Sequence, residues 1–466
     1  MFKLTSVSLA LVLLLGGCAV TRVDPPAPAK PPAQFKEDAL WQPAVAAEPA
    51  PEAWWQLFKD PVLDELEQRL VIGNENLKVS ASQVASALAT VTASHAALLP
   101  TLSASLGGTR NRNAVSGNGG QAVANGSNPS NSVNLGLTAG WEIDLWDRLG
   151  QAADAARADY QASRGDLAAA RLSAQALLAQ TYFSLRSAEL QAALLDRSVA
   201  AYQRSLDLTR ARFDSGVAAR TDVLQAETQV NTTRAQALEA KTQRATYEHA
   251  LAVLLGESPS TFALAPAEAL PGAPELPAFL PSTLLERRPD IGAARARVVA
   301  AYLQIGVADA AFFPAIDLAA TGGWRHSSMS QLISAPNLVW SLGATLTQTI
   351  LDGGQHQLAS AQARASADAA TATYRQTVLT ALQEVEDNLV QADHLATEAT
   401  LQDQARAAAA ANLDLTMDQY RAGTVSYLNV VTAQTALLQA EQSLLTVQSN
   451  RLTALDTLLK NIAGRW

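Results

Sequence analysis

The sequence predicts a protein that combines long coiled-coil α-helices with transmembrane β-strands and contains its structural unit twice. Two proline-free blocks, 130–258 and 337–466, space many apolar residues three and four apart, as supercoiled helices do. Shorter segments ahead of the helices alternate apolar and polar residues, which is typical of strands. The same turn pattern, centred on Gly216 and Gly423, ends a long helix in both blocks. These observations favour a duplicated, mostly helical membrane protein.

The N-terminus indicates export and lipid attachment. Lys3 precedes a short apolar run over 9–15, which is typical of a signal peptide over 1–17 and too short to span a membrane. Cys18 is the only cysteine, so it cannot form an internal disulfide, and it follows Leu-Gly-Gly as in lipoprotein signals. We predict that acylated Cys18 tethers the chain to a bilayer, the alternative being a plain cleaved signal. Ala19 favours sorting to the outer membrane.

Composition divides the rest of the chain into four segments. Residues 18–61 are rich in proline and alanine and predict an extended tether. Two units, 62–256 and 289–466, flank a proline-rich linker over 257–288. The two units align with each other, so we predict an internal duplication. No further run of about 18 apolar residues occurs, so no other transmembrane helix is predicted.

Each unit predicts two strands whose faces differ in polarity. In 133–145 and 340–350 one face is apolar, although Gln348 interrupts it, and the intervening loops are polar. Strands of about ten residues with one apolar face fit a transmembrane barrel; the alternative is a soluble sandwich sheet. Tryptophans near the strand ends are predicted to lie at the membrane interfaces: Trp141, Trp324 and Trp340.

The sequence of each unit also predicts one helix of unusual length. The helices over 151–213 and 355–421 would each span about 100 Å. Shorter helices would return in stacked pairs, which predicts a helical tube with a belt formed by the linker and both termini. The predicted pairs are 221–255 with 290–312, and 427–462 with 63–98.

The number of strands predicts an oligomer. The smallest membrane barrels have about eight strands, so the four of one chain cannot close a barrel. An open sheet in lipid would leave backbone groups unpaired, so closure must occur between subunits. Two chains would give eight strands and a filled interior, whereas three would give twelve and leave room for a lumen. Periodicity does not distinguish between these two assemblies.

Several motifs resemble those of the TolC-like outer-membrane efflux channels, in their NodT-like lipoprotein branch. The resemblance covers nearly the whole mature chain, and its motifs are LGGC (15–18), WEIDLWDRLG (141–150), RRPDI (287–291), FFPAI (312–316), ILDGG (350–354), LQEVEDNL (382–389) and YRAGTVSYLNVVTAQ (420–434). It implies a homotrimer that shares a twelve-stranded β-barrel continuous with a twelve-helix periplasmic tube. It also implies the exit duct of a tripartite efflux pump for drugs and other toxic small molecules.

The resemblance implies partners and a location as well. The duct would dock to a periplasmic adaptor and an inner-membrane transporter of the RND, MFS or ABC type. The chain would lie in the bacterial outer membrane, lipid-anchored, and extend into the periplasm. The alternative on the same fold is the outer-membrane component of a type I protein secretion system.

The resemblance places the two recurring turns at the periplasmic tip. Residues that would contact the adaptor there are Arg212, Gly216, Arg421 and Gly423. Residues that would form the periplasmic gate are Asp222, Tyr420, Val425, Asn429 and Thr432. Asp222 and Tyr420 match polar links that hold such tips closed, while the alternative for Asp222 is a charge favoured by the helix N-terminus.

The gate positions also depart from the family pattern. Val425 stands where some members have arginine, and Asn429 and Thr432 stand where some have aspartate. We therefore predict a constriction without a carboxylate ring, which would be less selective for cations than an acidic one.

The sequence predicts neither an enzyme nor a metal site. Its five histidines lack metal-ligand spacing, and no glycine-rich phosphate loop links a strand to a helix. The formal net charge of −9 argues against nucleic-acid binding. We predict no cofactor other than the lipid on Cys18, and transport energy that comes from a partner. A structural coiled-coil lipoprotein is a further alternative, against which the strands argue.

Overall fold

The computed structural model describes residues 22–27, 35–36, 53–112, 129–275, 284 and 287–463. Cys18 lies outside the described residues. Two compact units are present, and each draws segments from both halves of the sequence. The first comprises Met1–Ala27, Ala85–Gln161 and Arg295–Ala372, and the second comprises Pro28–Val84, Ala162–Ala294 and Thr373–Trp466.

Helices make up most of the described chain. In order, they are α1 (Pro61–Gly73), α2 (Glu75–Ala96), α3 (Arg148–Asp214), α4 (Arg220–Leu254), α5 (Pro289–Ala310), α6 (Gln355–Ala422) and α7 (Tyr427–Ala463). Helices α3 and α6 contain 67 and 68 residues, so each is about 100 Å long, as predicted. Helix α5 is long and apolar enough to cross a membrane by composition alone, but half of its most apolar window is buried within the chain.

Small residues allow close helix packing in the second unit. A Cβ atom on Gly165 of α3 would lie 2.9 Å from both the Ala293 Cβ and the Pro289 carbonyl oxygen. Real Cβ contacts are not this short, so the glycine is needed for the helices to approach. The scarcity of bulky residues in the sequence thus corresponds to packing through glycine and alanine.

The single helix predicted over 63–98 is wrong, because the chain is interrupted at Asn74 between α1 and α2. The Asn74 side-chain oxygen accepts the Leu77 N–H at 3.0 Å and so caps α2. Its amide nitrogen donates to the Leu254 carbonyl, at the end of α4, at 2.7 Å. The break is therefore stabilised by a contact with a distant segment.

The predicted tether is not extended throughout. A short 3₁₀ helix covers Trp54–Phe58, and both terminal aromatics of this segment are buried. Phe58 packs on Phe183 of α3, with ring centroids 4.9 Å apart. Burial of these rings places the end of the tether in the core of the second unit, because aromatic side chains gain most from leaving water.

One antiparallel sheet, in the order β1-β2-β3-β4, lies in the first unit. Strands β2 and β3 pair across the two halves of the sequence. At the helix-side end the strands connect to helices, and at the loop-side end β1 connects to β2 and β3 to β4. The bounds are β1 Thr101–Asn111, β2 Ser130–Glu142, β3 Ala315–His326 and β4 Leu338–Thr347.

We expect Asn74→Ala to destabilise the protein by about 2–3 kcal/mol, because it removes both the helix cap and the partner of a buried carbonyl. Asn74→Ser keeps a capping oxygen but cannot reach Leu254, so about half of the loss should remain. The measurement is denaturant unfolding of the purified protein in detergent. Asn76→Ala, an exposed neighbour, is the control; equal effects at both positions would contradict the role assigned to Asn74.

Candidate functional site

One side of the sheet carries an almost unbroken apolar surface, here named the apolar face. Directly paired residues of an antiparallel sheet project to the same side, so the register determines its members. Trp340 and Leu342 are 76% and 77% exposed, although both are large and apolar. The apolar face comprises Leu102, Ala104, Leu106, Val133, Leu135, Leu137, Ala139, Trp141, Ile316, Leu318, Ala320, Trp324, Leu338, Trp340, Leu342, Ala344 and Leu346.

The opposite side of the sheet is mainly polar. The hydroxyl oxygens of Thr321 and Ser341 lie 2.7 Å apart on adjacent strands. Other members of this polar face are Thr101, Ser103, Ser105, Thr109, Asn134, Thr138, Glu142, Asp317 and Thr345. A sheet with one apolar and one polar side can separate hydrocarbon from water.

All three predicted interface tryptophans lie on the apolar face, near its two ends. Trp141 lies at the helix-side end, where its indole N–H donates to the Leu98 carbonyl at 3.0 Å. Trp324 and Trp340 lie toward the loop-side end. The apolar residues of β3, from Ile316 to Trp324, rise about 26 Å along the strand, or about 20 Å when strands tilt by about 40°. This height is close to the apolar band of a membrane barrel, which is about 25 Å tall.

The sheet of one chain has two open edges. Among the described residues, β1 pairs only with β2, and β4 pairs only with β3. Each edge therefore presents a row of unpaired N–H and C=O groups, which hydrocarbon does not tolerate. The sheet is thus incomplete as a membrane-spanning structure.

The two recurring turns lie in the second unit and share their backbone geometry. Gly216 has a φ of 76° and Gly423 a φ of 79°, the left-handed conformation that ends many helices. A Cβ atom on Gly216 would meet nothing within 4 Å, so glycine is favoured there by backbone angle and not by space. The sequence correctly placed both glycines at helix ends.

Arg212 connects the first turn to the second. Its guanidinium donates to the Tyr420 carbonyl at 2.7 Å and to the Arg421 carbonyl at 3.3 Å. The same group lies 4.7 Å from the centroid of the Tyr420 ring. A cation at the C-terminal end of α6 satisfies its last carbonyls and interacts favourably with the helix dipole. We name this set of contacts the arginine brace.

Two tyrosines fill the space beneath the brace. Tyr420 and Tyr427 are 3% and 1% exposed, and their rings meet edge to face at 5.5 Å. The Tyr420 hydroxyl lies 3.3 Å from that of Thr209. Burial raises the pKa of Tyr427, and the electrostatic effect of the neighbouring Tyr420 raises it further. Tyr427 therefore remains neutral, and both rings act as packing groups.

The side chains of the other predicted tip residues lie outside the brace, although the Arg421 carbonyl belongs to it. Asp222 accepts the Ala219 N–H at 3.4 Å, as a helix-start carboxylate does, and within the described residues it makes no hydrogen bond to Tyr420. Val425 packs against the buried cluster around the tyrosines. Asn429 and Thr432 are exposed. Arg421 is also exposed and pairs with Asp418 at 2.9 Å.

Sequence reasoning missed a buried polar group above the tyrosines. The Gln434 side-chain amide donates to the Ser205 hydroxyl at 2.9 Å, and the Tyr202 hydroxyl donates to the Gln434 backbone carbonyl at 3.0 Å. Burial raises the pKa of Tyr202 to about 12. The sequence could have indicated this group, because serine and glutamine occupy positions where the helix pattern expects apolar residues, and buried polar residues need specific partners.

Sequence reasoning also missed the contacts that hold the linker. Arg186 and Glu189 of α3 are buried, and Glu189 accepts hydrogen bonds from Arg186 (2.8 Å), Arg244 (3.2 Å) and the Ala267 N–H (3.1 Å). Arg244 in turn donates to the Leu264 carbonyl at 2.8 Å. These charges lie within the second unit and satisfy backbone groups of residues 264–267, which are in neither a helix nor a strand.

Comparisons with known proteins agree with this arrangement. The model of the outer membrane efflux protein family matches residues 66–257 and 280–464. The chain is 32% identical over 460 residues to the antibiotic efflux pump outer membrane protein ArpC of Pseudomonas putida, covering 97% of this chain and 94% of that protein. It is 30% identical to the outer membrane protein OprJ of Pseudomonas aeruginosa, covering 98% and 95%.

Solved structures show the same fold. The outer-membrane channel OprN superimposes with a TM-score of 0.87 at 27% identity, covering 96% of this chain and 100% of that chain. The open state of the MtrE outer membrane channel of Neisseria gonorrhoeae gives a TM-score of 0.80 at 26% identity, covering 95% and 98%.

We expect Arg212→Ala to loosen the second turn, since two carbonyls lose their donor. Amide hydrogen exchange at Gly423 and Thr424 should accelerate by about ten- to hundred-fold. The exchange rates of Arg212→Lys should lie between those of the wild type and of Arg212→Ala. Arg421→Ala is the matched control, because its exposed ion pair stabilises little, about 0.3 kcal/mol. Equal acceleration in both alanine variants would show that the brace does not hold the turn.

Proposed function

We infer that this chain, which belongs to the outer membrane efflux protein family, is the outer-membrane exit channel of a tripartite efflux pump. The observation that carries this function is the sheet, whose apolar face has membrane height and whose polar face is suited to a water-filled lumen. The relatives include proteins named for the efflux of antibiotics, toluene and solvents. We accordingly propose that the cargo consists of small molecules and that an adaptor and an inner-membrane transporter complete the pump.

We propose that three chains close the barrel. Three sheets provide twelve strands, which leave a lumen, whereas the eight strands of a dimer would be filled by their own side chains. Closure would pair β4 of one chain with β1 of the next. The two halves of the chain share the order helix, two strands, long helix, turn and helix, which supports an origin by duplication.

The duct is passive and its tip is gated. In each chain, the brace contributes about 2–4 kcal/mol from hydrogen bonds of a charged donor and from the ring contact. To shift the tip from 99% closed to 99% open, a partner must bind the open state about 5.5 kcal/mol more favourably than the closed state. An adaptor that binds the open tip better than the closed one could supply this through contacts with the turns around Arg212, Gly216, Arg421 and Gly423.

The gate is proposed to lack strong ion selectivity. Val425, Asn429 and Thr432 carry no charge at the positions where the resemblance implied arginine and aspartate. Asp222 serves to start α4 and lies outside the brace. Closure would then depend on packing and on Arg212.

Lipid attachment at Cys18 is proposed on the placement of the residues that follow it. Arg22 lies 2.8 Å from Asp154 and 3.3 Å from Asp147, next to the helix-side end of the sheet. Four residues span at most about 14 Å, so an acyl chain on Cys18 would start near the membrane level of Trp141. These contacts support an anchor in the leaflet at the helix-side end of the apolar face.

Electron microscopy of the purified mature protein, combined with bilayer conductance, tests the exit channel. We expect a threefold particle with a barrel at one end, helices of about 100 Å and a water-filled pore. A particle without threefold symmetry would overturn the trimer. A threefold particle that does not conduct even in the Arg212→Ala variant, which lacks the brace, would overturn the duct.

We expect wild-type protein to incorporate a palmitate analogue and Cys18→Ser to lose it. The serine variant should still fractionate with the outer membrane, because the apolar face alone requires lipid. Absence of label on the wild type would contradict acylation. Full release of the serine variant into the periplasm would contradict a membrane-spanning sheet.

A further inference from the structure

The two ends of the sheet carry charges of opposite sign. The strand and loop segments 101–141 and 318–351 contain Arg110, Arg112, Arg325 and His326 and no acidic residue. At the helix-side end, acidic side chains instead cluster within a few residues of the strands: Glu142, Asp144, Asp147, Asp317 and Asp352. The loop-side end is therefore basic without local neutralisation.

The register separates these basic residues by face. Arg110 pairs with Asn131 and follows Leu106 and Gly108 on the apolar side of β1. His326 pairs with Val133 and lies on the same side. Arg325 pairs with Asn134 on the polar face. Moving toward the loops on the apolar side, the order is therefore Trp340, Trp324, His326 and Arg110.

We propose that Arg110, with His326, binds the phosphate groups of lipid A in the outer leaflet. This inference rests on the proposed function, because it requires the loop-side end to face the cell exterior. The tryptophans end the hydrocarbon layer, and the next residues on that side are His326 and the cationic Arg110, at the level where phosphates of a glycolipid lie. Arginine suits phosphate because its planar guanidinium donates two parallel hydrogen bonds.

Within the described part of the chain, Arg110 makes no ion pair with an acidic side chain. It is exposed on the edge strand β1, and no acidic side chain lies among residues 101–141. A cation on the lipid-facing side without an internal counterion is costly in hydrocarbon but favourable beside an anionic headgroup. Charge complementarity thus favours a phosphorylated lipid over a neutral one.

Native mass spectrometry of the full-length protein in detergent tests the site, with diphosphorylated lipid A as the probe. We expect Arg110→Gln to weaken binding about five-fold, corresponding to about 1 kcal/mol, and Arg110→Lys to lose less. Dephosphorylated lipid A should bind wild type and variant equally. Arg325→Gln is the matched control, because it removes the same charge from the same end but from the polar face.

Three results would overturn the proposal: equal binding by Arg110→Gln and wild type, an equal loss in Arg325→Gln, or no preference of wild type for the phosphorylated probe. Flotation with phosphatidylcholine vesicles separates this from a failure of the exit-channel function. Protein that floats and conducts but binds lipid A independently of Arg110 contradicts only the lipid site. Protein that does not enter the vesicles contradicts the membrane-spanning sheet, and the lipid site with it.

Discussion

The open edges of β1 and β4 are the constraint on which the rest of the structure depends. An unpaired N–H or C=O in hydrocarbon costs several kcal/mol, and each edge presents a row of such groups. An apolar-faced sheet therefore spans a bilayer only when other strands cover both edges. Any symmetric closure of several sheets also arranges the helices that follow β2 and β4 around the same axis. The requirement for backbone hydrogen bonds thus supports the proposed closure of the channel between several chains.

The two recurring turns, at Gly216 and Gly423, are held by a different kind of contact from the one that would close the sheet. They are held by Arg212, by carbonyls at the end of α6 and by two buried tyrosines. These contacts amount to a few kcal/mol, whereas opening the sheet edges in lipid would expose many backbone groups. In the proposed channel, the sheet edges would therefore be held more strongly than the two turns. That difference would permit the turns to open without dissociation of the subunits.

Short-range sequence patterns predicted strand faces and helix extents, which depend on residues close together in the chain. Alternation placed Trp141 and Trp340 on the apolar faces of their strands, because strand periodicity is independent of the partner strand. The absence of proline predicted α3 and α6. The break at Asn74 was missed, because asparagine is compatible with a helix and its deciding partner, Leu254, is distant in sequence. The brace was missed for the same reason, since Arg212 and Tyr420 meet only after both turns have formed.

The basic loop-side end is not needed to orient the chain. Helices of about 100 Å with many charged side chains do not cross a bilayer, so they already determine which end of the sheet stays inside. Arg325 on the polar face can remain in water, whereas Arg110 on the apolar side must meet a lipid headgroup. An arginine at this level is favourable only if the headgroup supplies negative charge. The face on which the charge lies, and not its mere presence, therefore indicates the ligand.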